Sequence, residues 1–253
     1  MGSYLSRNNI AAISDIDTRE VTQILRDEGA QRAVLFPPTG AADPLAHAKQ
    51  MMAGVPAMEG LDLVSLVSTK APYLFSETGK EGTVVVYDFG VKTNILRFFA
   101  ERNFRVQVVP YNMPYQEVMK EKPTAVVLSN GPGDPEKVPA VVSEIQKLIG
   151  NVPLFAICMG HQLLCRAVGG TTYKLKFGHH GCNHPVQDLR TGRILITSQN
   201  HGFSVKLDGV KGKDVQVTHL SLNDETIEGF ASDSMRFHSV QFHPEAKPGP
   251  SDA

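Results

Sequence analysis

The sequence predicts an α/β fold built on a mostly parallel sheet with helices on both faces. Four short runs, Thr83–Asp88, Val106–Pro110, Ala125–Asn130 and Val152–Cys158, are apolar or β-branched nearly throughout. Strands covered on both faces read this way. Helical apolar spacing separates them at about 91–102, 115–121 and 138–149, and such alternation marks a parallel sheet with crossover helices. A third observation concerns function: "SNGPGD" (Ser129–Asp134) and "CMGHQ" (Cys158–Gln162) both fall just beyond a strand run, and open sheets bind ligands at the carboxyl ends of their strands.

Taken in order, the chain opens with Asp17-Thr-Arg-Glu20, a capping-box pattern in which acid and glutamate satisfy free backbone N–H groups. The apolar positions Val21, Ile24 and Leu25 follow, and Gly29 supplies a stop, so a helix is expected over Thr18–Glu28. Val34–Phe36 reads as a short strand and Pro44–Met52 as a helix. Residues 69–82, with Pro72, Gly79 and Gly82 among polar side chains, read as a linker. Beyond about Thr171 the strand signals shorten to Arg193–Thr197, Val215–Thr218 and Met235–Phe242.

Bulk properties bound the function. The chain has 253 residues, 42% hydrophobic and 20% charged, as an ordinary globular protein does. Lys plus Arg number 25 against 26 Asp plus Glu, so no global field points to nucleic acid or an anionic membrane. No apolar run approaches the ~20 residues of a membrane span, and MGSYLSRNNI lacks the basic-then-apolar order of a signal peptide. Cys158, Cys165 and Cys182 are an odd, unclustered set, which fits a reducing compartment and hence the cytoplasm.

Cys158 ends a strand run, with Ala156 two residues before and Gly160 two after. A buried cysteine packs as a small hydrophobe; on a tight strand-to-helix turn it is also a candidate nucleophile, flanked by free N–H groups. A nucleophile needs a base, and the base an orienting partner. In "QFHPEA", His243 and Glu245 are spaced to face the same way in extended backbone, with Pro244 stiffening the link. Glu245 would accept from Nδ1 of His243 and leave Nε2 for the thiol. Ser129–Gly133 supplies a second glycine-rich turn, either a tight loop or an oxyanion donor. His179, His180, Cys182 and His184 tempt a zinc reading, but their spacing is tighter than structural zinc sites use, and no metal is expected. His161 and His201 read as packing or site-wall residues and Cys165 as core.

"FAICMGHQLL", "LSNGPGDP" and "SVQFHPEA" together resemble the class I (triad) glutamine amidotransferases. "DIDTR", "YDFGVKTNIL", "KFGHHGCNHPV", "TSQNHGFSV" and "HPEAKPGPSDA" narrow the likeness to the glutamine-hydrolysing small chains of carbamoyl-phosphate synthetase. The resemblance implies a flavodoxin-like class I amidotransferase fold over 83–253, a linker at 69–82, and over 1–68 the C-terminal part of a smaller N-terminal α/β domain. It implies Cys158 as nucleophile, His243 as base and Glu245 as its orienter. Gly131 and the backbone of Met159 would surround the oxyanion, Gln162, Asn200, Gly202 and Phe203 would hold L-glutamine, and Gly133 counts among the substrate-binding residues. From the residues alone, Gln199–Gly202 reads rather as a polar turn between strands.

The implied partner is a synthetase large subunit or domain that carries ATP and magnesium; this chain shows no P-loop signature, so no cofactor is expected on it. Ala156 and Met159 stand where the family usually has glycine and leucine. The family's chain begins well before residue 1, with a serine that also contacts glutamine, and continues into a last helix beyond Ala253, so a fragment is expected. Three rivals remain at this stage: an amidotransferase of anthranilate or GMP synthesis, a γ-glutamyl hydrolase, and a non-catalytic relative.

Overall fold

A computed structural model describes residues 1–37, 43–210, 214–246 and 248–252. They form two compact units, Met1–Ala57 and Met58–Ala253. In the first, α1 (Gly2–Arg7), α2 (Thr18–Glu28) and α3 (Pro44–Ala53) are the regular elements. The Asp17 side chain accepts from Glu20 N at 2.9 Å, so the capping residue starts α2 where the sequence places it. Asp43 does the same for α3, accepting from Leu45 N and Ala46 N, with Pro44 at the first helical position, where its missing N–H costs nothing. Val34–Phe36 is not a strand. A strand needs a ladder partner, and no element of this unit offers one among the described residues.

The second unit holds α4 (Val64–Val67), β1 (Tyr73–Ser76), β2 (Thr83–Asp88), α5 (Thr93–Glu101), β3 (Arg105–Pro110), α6 (Tyr115–Lys120), β4 (Ala125–Leu128), α7 (Pro139–Leu148), β5 (Leu154–Ile157) and α8 (Met159–Ala167). Then come β6 (Thr171–Asp188), β7 (Ile194–Lys206), β8 (Gln216–Ser221), β9 (Ile227–Ser232) and β10 (Phe237–Val240). They make one sheet of ten strands, ordered β1-β3-β2-β4-β5-β10-β9-β8-β6-β7. β3, β2, β4, β5 and β10 run parallel; the flanking pairs are antiparallel. Within the expected linker, Tyr73–Ser76 forms β1 along the edge of β3.

Near-continuous apolarity in the parallel strands has a direct cause. Successive side chains point to opposite faces, and here both faces are covered. Val84, Val86, Val106, Val108 and Val127 pack with Ile95 and Leu96 of α5. Val85, Tyr87, Val126 and Leu128 pack on the other side with Val141, Ile145 and Leu148 of α7 and Leu163 and Leu164 of α8. Burying each such side chain contributes about 1.5–3 kcal/mol, which fixes the parallel strands so that their carboxyl ends converge. β2 pairs with β3 on one side and β4 on the other, so the chain reverses its direction of travel there, the usual position of a ligand crevice.

Candidate active site

Four loops leave the carboxyl ends of parallel strands and meet. After β5 the chain turns through Cys158 with φ 54° and ψ −104°, a conformation unfavourable for a residue with a Cβ. Such strain persists only where surrounding contacts impose it. Here they do: Cys158 N donates to Val240 O at 2.9 Å and Gly160 N to Ser129 O at 2.9 Å. A Cβ at position 160 would overlap the Leu128 carbonyl, so only glycine lets α8 start this close to β4. Ala156, the residue two before, is fully buried, and its methyl fits.

The turn after β10 brings His243 and Glu245, both buried, to the cysteine. His243 Nδ1 lies 2.7 Å from Glu245 Oε1 and the ring also hydrogen-bonds Cys158, which leaves Nε2 for the thiol. Burial opposes charge on this imidazole. The charge and hydrogen bond of Cys158, and then Glu245, outweigh it and hold the His243 pKa up at about 10. Glu245 also feels burial first, yet His243 and Lys92 keep its pKa below the ordinary carboxylate value.

Two of these partners carry no motif that residue-level reading could use. Lys92 Nζ is 2.8 Å from Glu245 Oε1 and donates to Ala246 O at 3.1 Å. Asn94 Nδ2 donates to Glu245 O at 2.6 Å. Both lie in "YDFGVKTNIL", whose signal was family likeness rather than chemistry. His243 N donates to Ser198 O at 2.9 Å, which ties the turn to β7 as well.

The Ser129–Gly133 loop lies beside the elbow. Phe89 N donates to Ser129 Oγ at 3.0 Å and Lys92 N to Asn130 Oδ1 at 3.0 Å. A Cβ at Gly131 would overlap the Phe89 carbonyl, and Gly133 sits at φ 91° against Leu61 and Leu63. Met159 is the first residue of α8, so its N–H has no intrahelical acceptor, and among the described residues neither it nor Gly131 N donates elsewhere.

Glutamine-holding candidates divide into two groups. Gln162, buried on α8, commits its Nε2 to Phe203 O and Gln241 Oε1, each at 3.0 Å. Asn200, Gly202 and Phe203 lie together on β7; Asn200 Oδ1 meets His180 Nδ1 at 2.9 Å, Phe203 is buried, and Gly202 faces the Lys174 side chain. They belong to a strand that runs to Lys206, so the polar-turn reading of 199–202 is corrected: the antiparallel ladder with β6 absorbs these backbone groups.

His179, His180, Cys182 and His184 go to separate partners: Asp224, Asn200, Ser198 and the His180 carbonyl. The described atoms that do gather are on His179, His201 and Glu228, within 4.8 Å of one another. Both ring nitrogens of His201 already face Phe203 O at 2.8 Å and Gln199 Oε1 at 3.0 Å. His161, fully buried, contacts Ser239 at 3.0 Å, and burial takes its pKa down to about 3, so it is a packing residue. Among the described residues no helix is long and apolar enough to cross a membrane.

The family model for glutamine amidotransferase class-I matches residues 85–253. The carbamoyl phosphate synthase small chain of Nitratidesulfovibrio vulgaris is 47% identical over 99% of this chain and 69% of its own length. That of Staphylococcus epidermidis is 45% identical over 98% and 66%, and that of Listeria monocytogenes serovar 1/2a 44% identical over 100% and 68%. The chain thus spans about two-thirds of the length of these relatives. Among solved structures, a candidate GMP synthase component from Thermoplasma acidophilum superposes with TM-score 0.57 at 20% identity, covering 65% of this chain and 85% of its own. A glutamine amidotransferase from Thermotoga maritima gives 0.50 at 21%, covering 64% and 76%; at these identities the likeness is one of fold. On sequence, the chain belongs to the class I glutamine amidotransferases, and within them to the carbamoyl phosphate synthase small chains.

Proposed function

We propose that this chain is the glutaminase of a carbamoyl phosphate synthase, hydrolysing L-glutamine at Cys158 and passing ammonia to a large subunit. The observation that carries the reading is the strained elbow at Cys158 with His243 hydrogen-bonded to it and Glu245 bonded behind. With its pKa held at about 10, His243 already carries the proton on Nε2, and the Sγ of Cys158 attacks the side-chain amide carbon of glutamine as a thiolate. The Met159 and Gly131 N–H groups hold the oxyanion that forms. His243 then gives its proton to the amide nitrogen, ammonia leaves, and a γ-glutamyl thioester remains on Cys158. Water, deprotonated by His243, attacks the thioester carbon; glutamate leaves and the thiolate is restored beside protonated His243.

Glu245 keeps Nδ1 of His243 protonated and the ring aimed, and Lys92 holds Glu245 in place. Asn200, Gly202 and Phe203 line the glutamine pocket, with Gln162 supporting Phe203 from α8. ATP and magnesium belong to the large subunit, which makes carbamoyl phosphate from bicarbonate and the ammonia delivered. A reducing cytoplasm suits the free thiol. Domain limits of 1–68, 69–82 and 83–253 are part of the same reading.

Cys158→Ser separates ammonia production from its use. A hydroxyl is a far poorer nucleophile beside this histidine, while the side chain hardly changes in volume. In complex with the large subunit, the variant is expected to lose glutamine-dependent synthesis, by a factor of about 10³ or more, and to keep synthesis from ammonium salt. His243→Asn should behave alike, and Glu245→Gln should retain more activity. Loss of both activities in Cys158→Ser, or retention of glutamine use, would sink the reading.

A further inference from the structure

Behind the glutamine pocket lies a buried polar chain that the chemistry above does not use. Glu228, fully buried on β9, has Oε2 2.8 Å from the Gln199 amide. The other side of that amide is 3.0 Å from His201 Nε2. His201 Nδ1 is 2.8 Å from the Phe203 carbonyl, which also accepts from Gln162. The backbone closes the loop, since Gln241 N donates to Glu228 O at 2.8 Å and the Gln241 side chain meets Gln162. We propose that Glu228 is a positioning residue for the glutamine site, acting as a neutral carboxylic acid that fixes the Phe203 carbonyl through Gln199 and His201.

Proton counting gives the direction of the chain. A carbonyl 2.8 Å from His201 Nδ1 requires an N–H there, and a neutral imidazole has only one. Burial pushes the His201 pKa down to about 3, so the ring is neutral and Nε2 carries a lone pair. That lone pair needs a donor. Gln199 must therefore turn its NH₂ to His201 and its oxygen to Glu228, an amide orientation set by the network rather than by shape. The turned amide exchanges its contact with Thr197 Oγ1 at 3.2 Å for the bond to His201. Two oxygens 2.8 Å apart then demand a proton between them, which Glu228 supplies.

Burial raises the Glu228 pKa above its ordinary value, against the His179 and Gln199 contacts, which lower it. His179 faces Glu228 Oε1 at 3.4 Å from Nδ1 and Asp224 at 2.8 Å from Nε2. The Glu228 contact and then Asp224 raise its pKa against burial, and by distance its direct hydrogen bond is the one to Asp224. The inference rests on the glutamine site proposed above and names what holds that site in register.

Because a neutral donor is what the chain requires, Glu228→Gln and Glu228→Leu separate it from an anionic role. In the full-length protein with its large subunit, Glu228→Leu is expected to raise KM for glutamine about tenfold, the effect of leaving one buried polar group unpaired. Its kcat, and the alkylation rate of Cys158, should change less than about threefold, and Glu228→Gln should keep a KM near the parent's. Equal KM losses in both variants would mean that the anion is needed, and an unchanged KM in Glu228→Leu that no positioning occurs; either overturns the proposal. Should Glu228→Leu fail to fold, Gln199→Leu paired with Glu228→Gln carries the same contrast. Histidine ¹⁵N NMR decides the chain even if the parent hydrolyses no glutamine, a result that would remove the glutaminase reading instead. The Nδ1–H tautomer of His201 is expected in the parent and in Glu228→Gln, and an Nε2–H tautomer contradicts the chain.

Discussion

Burial opposes the imidazolium of His243, yet Cys158 and then Glu245 carry its pKa to about 10. The unfolded side chain titrates near ~6.5. A raised folded value contributes stability that is complete below ~6.5 and lost as pH climbs through about 10. Because Cys158 is the leading favourable partner, Cys158→Ser should make His243 titrate at lower pH and bring the alkaline loss of stability forward. Ring titration by NMR, with melting curves between about pH 7 and 10, checks both; an unchanged His243 would count against the thiol–imidazole pair. Cysteine reactivity makes a second test. Cys165 is buried, and burial pushes its pKa up to about 12, so brief alkylation at neutral pH should modify Cys158 far ahead of Cys165. Peptide mapping that found Cys165 labelled as fast would contradict a catalytic elbow. At this scale the grouping of Cys158, His243 and Glu245, the proposed triad, was legible because short spacings around Cys158 and His243 carry chemistry. Lys92, Asn94 and Glu228 were not, because a lysine, an asparagine and a glutamate acquire their partners only when β2, β9 and β10 align.

Gly160 shows how an element depends on one backbone position. The helix α8 starts against β4 because no Cβ separates residue 160 from the Leu128 carbonyl. Gly160→Ala must push α8 away, at a cost of about 1–3 kcal/mol or more. Cys158 would move with it, so the variant should melt earlier and lose most activity. An alanine variant that melted and worked like the parent would show that the close approach is unnecessary. The parallel strands were readable because two covered faces force apolar residues into every position. Strands β6 and β9 were not. β6 runs 18 residues through glycines, histidines and a proline, its ladder broken by register shifts between Lys174 and His179 and between Gly181 and His184, so neither alternation nor continuous apolarity marks it. β1 hid among turn-forming residues and exists because the β3 edge pairs with it.

For the whole molecule, ten strands in one sheet gather four loops from four parallel carboxyl ends, and the proposed chemistry needs all four: the elbow, the glycine turn, the lysine turn and the His-Pro-Glu turn. None contributes a complete site by itself, which is why the sequence shows the parts far apart and only the strand order joins them. The central claim is that glutamine passes through a thioester on Cys158. Radiolabelled glutamine, mixed with the enzyme and quenched in acid during turnover, should leave label on the peptide that holds Cys158, absent in Cys158→Ser. Label on another residue, or glutamate release from Cys158→Ser at the parent's rate, would contradict the account.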